Sequence, residues 1–251
     1  TKEENMVYAA REKPIFENGY DAGRQLAAKL GEYKGPALSE AEGSLSKGKS
    51  VVVLAIPNGG VPVGMEVALA LEADFDLVVS RKIPLPLNTE AGFGAVADDG
   101  TVILNEDMVR RAGLSQQQID SQVNLVRTEI RRRRLLYRQD RPPALVGGKT
   151  VIITDDGLAS GFTMLATVKS MRSRKPREII VAVPVSSAAA LEEVSKVADK
   201  VVTVATGSLP RFAVADFYRN WHDLSDDEVF RALEEWRQRR WKTNIKPSGG
   251  G

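Results

Sequence analysis

The sequence predicts an α/β protein built on a parallel sheet, and three observations carry that prediction. Short apolar runs rich in Val, Ile or Leu fall at 51–56, 76–82, 150–155, 178–185 and 200–205 and read as core strands. Helical spacing fills most of the intervals, the alternation expected when helices cover both faces of a parallel sheet. Two of the strands, 51–56 and 150–155, run straight into glycine-bearing loops, and in such sheets ligands bind beyond the C-terminal strand ends.

Residues 1–50 give a charged lead-in and one helix around Tyr20 to Leu30, followed by a Gly/Ser/Lys stretch from Lys34 to Ser50 that reads as a surface connection. The run Val51-Val52-Val53-Leu54-Ala55-Ile56 then leads into Pro57-Asn58-Gly59-Gly60-Val61-Pro62-Val63-Gly64 and a helix through Met65, Val67, Ala68 and Leu71. Leu77-Val78-Val79 ends in Arg81 and Lys82. From Ile83 to Lys149 the chain leaves the sheet. Asp99-Gly100 favours a tight primed turn between Gly94-Ala95-Val96-Ala97 and Val102-Ile103-Leu104, which predicts a hairpin. Ser115 with Gln118 three residues on predicts a capped helix whose apolar stripe is Ile119, Val123, Val126 and Ile130, and Arg131 to Arg134 read as its solvated face.

The segment Val151-Ile152-Ile153-Thr154-Asp155-Asp156-Gly157-Leu158-Ala159-Ser160-Gly161-Phe162-Thr163 carries the most chemistry. An apolar strand meets two carboxylates, then a small-residue loop, then a helix whose Met164, Leu165, Val168 and Met171 recur at helical spacing before Pro176. Unpaired N–H groups at a helix N-terminus favour a phosphate. Gly157 and Gly161 let the backbone close around a ligand, and Ser160 and Thr163 add hydroxyl donors. Asp155 and Asp156 can accept hydrogen bonds from vicinal ribose hydroxyls or hold Mg²⁺ through water. The whole suits a sugar phosphate.

This segment resembles the ribose-5-phosphate signature of the type I phosphoribosyltransferases, which bind 5-phosphoribosyl-1-pyrophosphate. The resemblance extends through Asn58-Gly59-Gly60-Val61-Pro62-Val63, Arg81-Lys82-Ile83 and Asn88-Thr89-Glu90 and spans roughly residues 16 to 235, nearest to uncharacterised bacterial and archaeal relatives. It implies a Rossmann-like fold with a hairpin and helix insertion and a small hood. Residues 1–245 would form one domain with its core at about 51–205, a mobile insertion at about 83–149 and a hood from both terminal segments, leaving 246–251 as a flexible tail. It also implies site roles: catalysis by Asp155 and Asp156, ribose phosphate on Gly157, Leu158, Ala159, Ser160, Gly161, Phe162 and Thr163, and diphosphate on Asn58, Gly59, Gly60, Arg81 and Lys82. Phe212 would stack on the acceptor base, the acidic pair would hold Mg²⁺ through water, and Asp216 would hold a second Mg²⁺. Where the nearest relatives carry Pro-Arg-Gly-Gly this chain has Asn58, and where hypoxanthine and guanine enzymes place a lysine it has Ser186 and Ser187.

The expected activity is Mg²⁺-dependent transfer of the phosphoribosyl group to a nucleobase or similar nitrogen acceptor, with release of pyrophosphate. The alternative is a regulator that senses the sugar diphosphate or a nucleotide without turnover. The base stays unidentified and a homodimer stays open. With 251 residues, 43% of them hydrophobic, the chain can bury a full core without disulfides. Zero cysteines exclude thiol catalysis, and a formal charge of +2 gives no argument for nucleic acid. No apolar run reaches eighteen residues, so a cytoplasmic protein without a membrane partner is expected. Gly92 to Ala97 mimics a dinucleotide loop but leads into a hairpin, and Gly147-Gly148-Lys149-Thr150 mimics a P-loop but precedes a strand. The single histidine, His222, reads as a surface or hydrogen-bonded residue.

Overall fold

The chain alternates strand and helix as its apolar runs require. The computed structural model describes residues 6–8, 14–34, 51–86, 88–139, 141–207 and 212–244. In order these form β1 (Met6–Tyr8), α1 (Gly19–Ala28), β2 (Val51–Ala55), α2 (Gly60–Leu71), β3 (Asp74–Leu77), β4 (Arg81–Leu85), β5 (Asn88–Val96), β6 (Val102–Leu104), α3 (Glu106–Ala112), α4 (Gln116–Arg138), β7 (Thr150–Thr154), α5 (Phe162–Arg172), β8 (Glu178–Ser187), α6 (Ala188–Ser195), β9 (Lys200–Gly207) and α7 (Asp226–Asn244). The connection expected after Lys34 and the tail at 246–251 lie outside the described residues.

A six-stranded sheet has the order β1-β9-β8-β7-β2-β3 and is parallel throughout. Its central strands are apolar at nearly every position because both faces are covered. Alternate residues divide between two cores: Val53, Ala55, Ile152 and Ile180 face one cluster, while Val52, Leu54, Val151 and Ile153 face the other. The edge strand β1 arises from the lead-in, where the sequence pattern predicts none.

The expected strand at 76–82 is in fact two. β3 ends at Leu77, Val78 N–H still donates to Ala55 O, and Arg81 opens β4 in a separate antiparallel sheet, β4-β5-β6. Val78 and Val79 are both buried, one in each core cluster, so burial without a ladder imitates a continuous strand. The hairpin is present, with Gly100 at φ 91° in its turn. α4 begins in a capping box in which Ser115 Oγ accepts from Gln118 N–H and Gln118 Oε1 accepts from Ser115 N–H. Its stripe Ile119, Val123, Val126 and Ile130 is buried.

Two features position the site. Ala55 and Thr154, the last residues of β2 and β7, are register partners, so the loops that follow leave the sheet side by side. The N- and C-terminal segments meet beside them, with Phe16 bridging Tyr218 and Arg219 N–H donating to Phe16 O.

Candidate active site

The two loops close on each other. A β-carbon on Gly60 would lie 2.8 Å from the Asp155 α-carbon and 2.9 Å from Thr154 O, so glycine is required for the approach. The Pro57–Asn58 peptide bond is cis. Gly157 is equally hemmed in, its missing β-carbon 2.8 Å from Val214 and 2.9 Å from Val185.

The loop after β7 is stitched to the neighbouring strand. Leu158 N–H donates to Val185 O at 2.9 Å, Ser187 N–H returns to Leu158 O at 2.8 Å, and Ser187 Oγ donates to Ala159 O at 2.7 Å. Ser186 and Ser187, noted in the sequence as standing where a lysine was expected, therefore hold this loop, and Ser187 also caps α6. Gly161 takes the left-handed conformation, φ 77°, and starts α5 with no side chain capping it, so the helix presents uncovered N–H groups. Leu158 is buried, whereas Ala159 and Ser160 are exposed.

A cavity of about 500 Å³ joins these loops to Ser80, Arg81 and Lys82 and to Arg133, Trp221, His222 and Asp223. Asp155, Asp156 and Thr163 line its floor with Asn58 and Gly59. Burial raises both acidic groups above the usual carboxylate range. Asp155 is pushed further by Asp156, and Asp156, repelled also by Asp223, is carried to about 7. Tyr218 Oη donates to Asp156 O at 2.6 Å and ties the segment that follows β9 to the pair. A second cleft, about 560 Å³ beside Phe75 and Trp236, contains neither glycine loop nor acidic pair.

The expected residues are brought together unequally. Asp155, Asp156, Thr163, Asn58, Gly59, Arg81 and Lys82 share the cavity. Phe212 does not line it and packs on Phe217, ring centroids 5.5 Å apart, while Asp216 is exposed in the turn Val214–Phe217 and also stands off it. His222 is exposed and hydrogen-bonds Glu228 at 3.0 Å, as expected, yet it borders the cavity. The arginine run is not wholly solvated. Arg133 turns inward with its side chain 13% exposed, and Arg134 joins Arg138 and Arg174 around the buried Asp98. Arg133 was missed although its signal was present, since the stripe 119, 123, 126, 130 extends by the same spacing to 133 and 137.

Asn58 is fully occupied. Its Nδ2 donates to Leu224 O at 2.6 Å and to Asp226 Oδ1 at 3.3 Å, and its Oδ1 accepts from Arg133 Nη1 and lies 3.1 Å from Tyr137 Oη, whose proton goes to Asp226 Oδ1 at 2.5 Å. An amide can donate and accept at once, and a cationic side chain cannot.

Known proteins agree with this architecture. The phosphoribosyl transferase domain family matches residues 37–215. Two Mycobacterium tuberculosis proteins from different strains, both bearing provisional phosphoribosyl transferase names, are 37% identical over 220 residues, 88% of this chain and 46% of theirs. The chain thus spans about half the length of these curated relatives. The crystal structure of the Thermus thermophilus protein TT1426 superposes with a TM-score of 0.67 at 32% identity, covering 88% of this chain and 98% of that one. No described helix is long and apolar enough to cross a membrane. By its domain match and by these relatives, the chain belongs to the phosphoribosyl transferase family.

Proposed function

We propose that the protein transfers the phosphoribosyl group of 5-phosphoribosyl-1-pyrophosphate to a nitrogen of a heterocyclic base and releases pyrophosphate. One observation carries this reading: the Asp155–Asp156 pair, the uncapped start of α5 and the Arg81–Lys82 cations border or adjoin one cavity. A sugar bearing hydroxyls between two phosphate groups has that same order of charge.

In this reading the N–H groups at the start of α5 take the 5-phosphate with Ser160 and Thr163, while the backbone of 157–161 surrounds it. Hydroxyls of the ribose donate to Asp155 and Asp156, which offsets the burial that raises their pKa values. The bond from the sugar carbon to the diphosphate breaks with its electron pair on the leaving oxygen. The acceptor nitrogen bonds to that carbon and gives up its proton to the departing diphosphate. Positive charge that develops on the ring faces the two carboxylates, and negative charge on the leaving group faces Arg81 and Lys82, so rate enhancement comes from electrostatics and positioning.

Mg²⁺ fits as a partly hydrated ion carried with the diphosphate. Among the described residues no group of three or more His, Asp or Glu side chains converges as a metal cage. Two carboxylates that repel each other are a donor set for a cation whose other ligands are water and phosphate oxygen, and bound there it would neutralise leaving-group charge. Trp221, Phe212 and Asp216 are the hood candidates for the base and a second ion, and Trp221 alone of the three borders the cavity.

Titration calorimetry with the sugar diphosphate and Mg²⁺, followed by pyrophosphate release over a panel of purine and pyrimidine bases, tests the reading. Binding with release is the expected result. Binding without release from any base would favour sensing instead of transfer, and absence of binding would remove the reading.

A further inference from the structure

Asn58 leaves the loop after β2 without a cation of its own, yet the cavity wall beside it holds one. Arg133 comes from α4, 75 residues away in sequence, and its Nη1 donates to Asn58 Oδ1. Glu129, one turn earlier on α4, accepts from Arg133 Nε at 2.7 Å and fixes the direction of the guanidinium. Tyr137, one turn later, shares Nη1 at 3.3 Å. These bonds occupy Nε and Nη1 and leave Nη2 out, on a side chain that lines the same cavity as Arg81, Lys82 and Asp155.

We propose that Arg133 is a diphosphate-binding residue, supplying from α4 the positive charge that the loop bearing Asn58 lacks. The inference rests on the phosphoribosyl transfer reading above and names a residue that reading did not use.

The balance of charge supports it. Glu129 and Asp226 both pair with Arg133, at 2.7 and 3.3 Å, but both also pair with Arg132, at 2.8 and 2.7 Å. Two carboxylates are thus divided between two arginines, while Arg81 and Lys82 add two further cations at the cavity. Arg133, bonded to Asn58, and Arg81 beside it make this the cationic end of the cavity, where a diphosphate would lie. Arg81 reports the same field: burial lowers its pKa, and the Arg133 charge lowers it further. Like charges held this close are stabilised when a dianionic group enters between them. The Arg133–Asn58 bond has a second effect, because it ties the position of this cation to the loop whose backbone faces the same ligand.

The test compares two probes on the full chain by titration calorimetry with Mg²⁺ present: inorganic pyrophosphate, which needs the cationic end, and ribose 5-phosphate, which does not. In R133Q, pyrophosphate binding should weaken by about tenfold or more while ribose 5-phosphate binding stays within about twofold. R133K keeps a charge and the pairing with Glu129 but loses the fork, and an intermediate, pyrophosphate-selective loss is expected. R133K also carries the test if R133Q does not fold. Unchanged pyrophosphate affinity in the folded variants, or equal loss of both ligands, overturns the assignment of Arg133 alone. A wild-type protein that binds neither probe overturns the underlying site reading and this inference with it.

Discussion

Gly59 lies flat against the carboxylate of Asp156: a β-carbon built on Gly59 would stand 1.8 Å from Asp156 Oδ2 and 2.6 Å from its carboxyl carbon. The loops after β2 and β7 therefore fit together with no room for a side chain between them, and the acidic pair is fixed partly by what position 59 lacks.

A Gly59→Ala variant should displace Asp156 rather than unfold the sheet. Overpacking of this kind costs about 1–3 kcal/mol. The expected outcome is that loss in denaturant unfolding together with a fall in sugar diphosphate affinity of at least about tenfold, since a carboxylate moved by an ångström no longer meets its hydroxyls. Wild-type affinity in Gly59→Ala would show that the close approach has no part in binding.

Burial disfavours the charged forms of Asp155 and Asp156, and the charges of Asp156 on Asp155 and of Asp223 on Asp156 add to it, so the residues proposed to act on the sugar also weaken the fold. The sign is fixed by direction: a carboxyl raised in the folded state is destabilising once ionised, so stability contributed by protonation is lost as pH rises from about 4 toward 7. Replacing both by asparagine should abolish turnover and raise stability at pH 8 by about 1–2 kcal/mol. Thermal unfolding and pyrophosphate release on the same preparation check both halves, and a less stable double variant would contradict the second.

Asp226 behaves oppositely. Burial works against its charge, but hydrogen bonds from Tyr137 and Arg132 and the Arg133 charge outweigh it and bring the group to about 2. A depressed carboxylate contributes stability above its ordinary pKa and loses it as pH falls from about 4 to about 2. Asp226→Asn should remove about 1 kcal/mol at pH 7, the shift being discounted for solvent screening, and flatten the acid limb of the stability curve. An unchanged acid limb would mean that the contact carries no net energy.

Trp221 and Phe212 separate by position. Trp221 borders the cavity and packs on Tyr218, ring centroids 5.0 Å apart, while Phe212 packs on Phe217 and Gly207. Trp221→Ala should raise the acceptor KM by about tenfold with stability nearly unchanged, consistent with about 1–3 kcal/mol for an aromatic platform under a base. Phe212→Ala should instead lower stability by about 1–3 kcal/mol. The reverse pattern would return the stacking role to Phe212.

The parts of the site legible in the sequence are those whose neighbours along the chain explain them. Asp155 and Asp156 follow an apolar, fully buried strand, and Gly59 and Gly60 follow another, so pattern alone places both beyond strand ends. Arg133 was obscured because four arginines in a row conceal which one points inward, and only helical phase separates Arg133 from Arg132. Trp221 and Asp223 lie in a stretch without periodicity, and what brings them to Asp156 is the bridge between Phe16 and Tyr218, a contact of long sequence separation. The split of the run 76–82 was hidden for a different reason, since burial continues across Val78 and Val79 while the hydrogen-bond ladder changes partners.

The pairing of Leu158 with the end of β8 has a kinetic meaning. A segment whose backbone is already bonded on one side to Val185 and Ser187 has given up its conformational freedom during folding. An arriving phosphate then meets donors that are waiting in place, so capture at this loop should proceed at a rate set by diffusion and electrostatic attraction, with no slow ordering phase in a stopped-flow trace. Loosening the stitch with Ser187→Ala, which removes the hydroxyl on Ala159 O, would be the way to make such a phase appear.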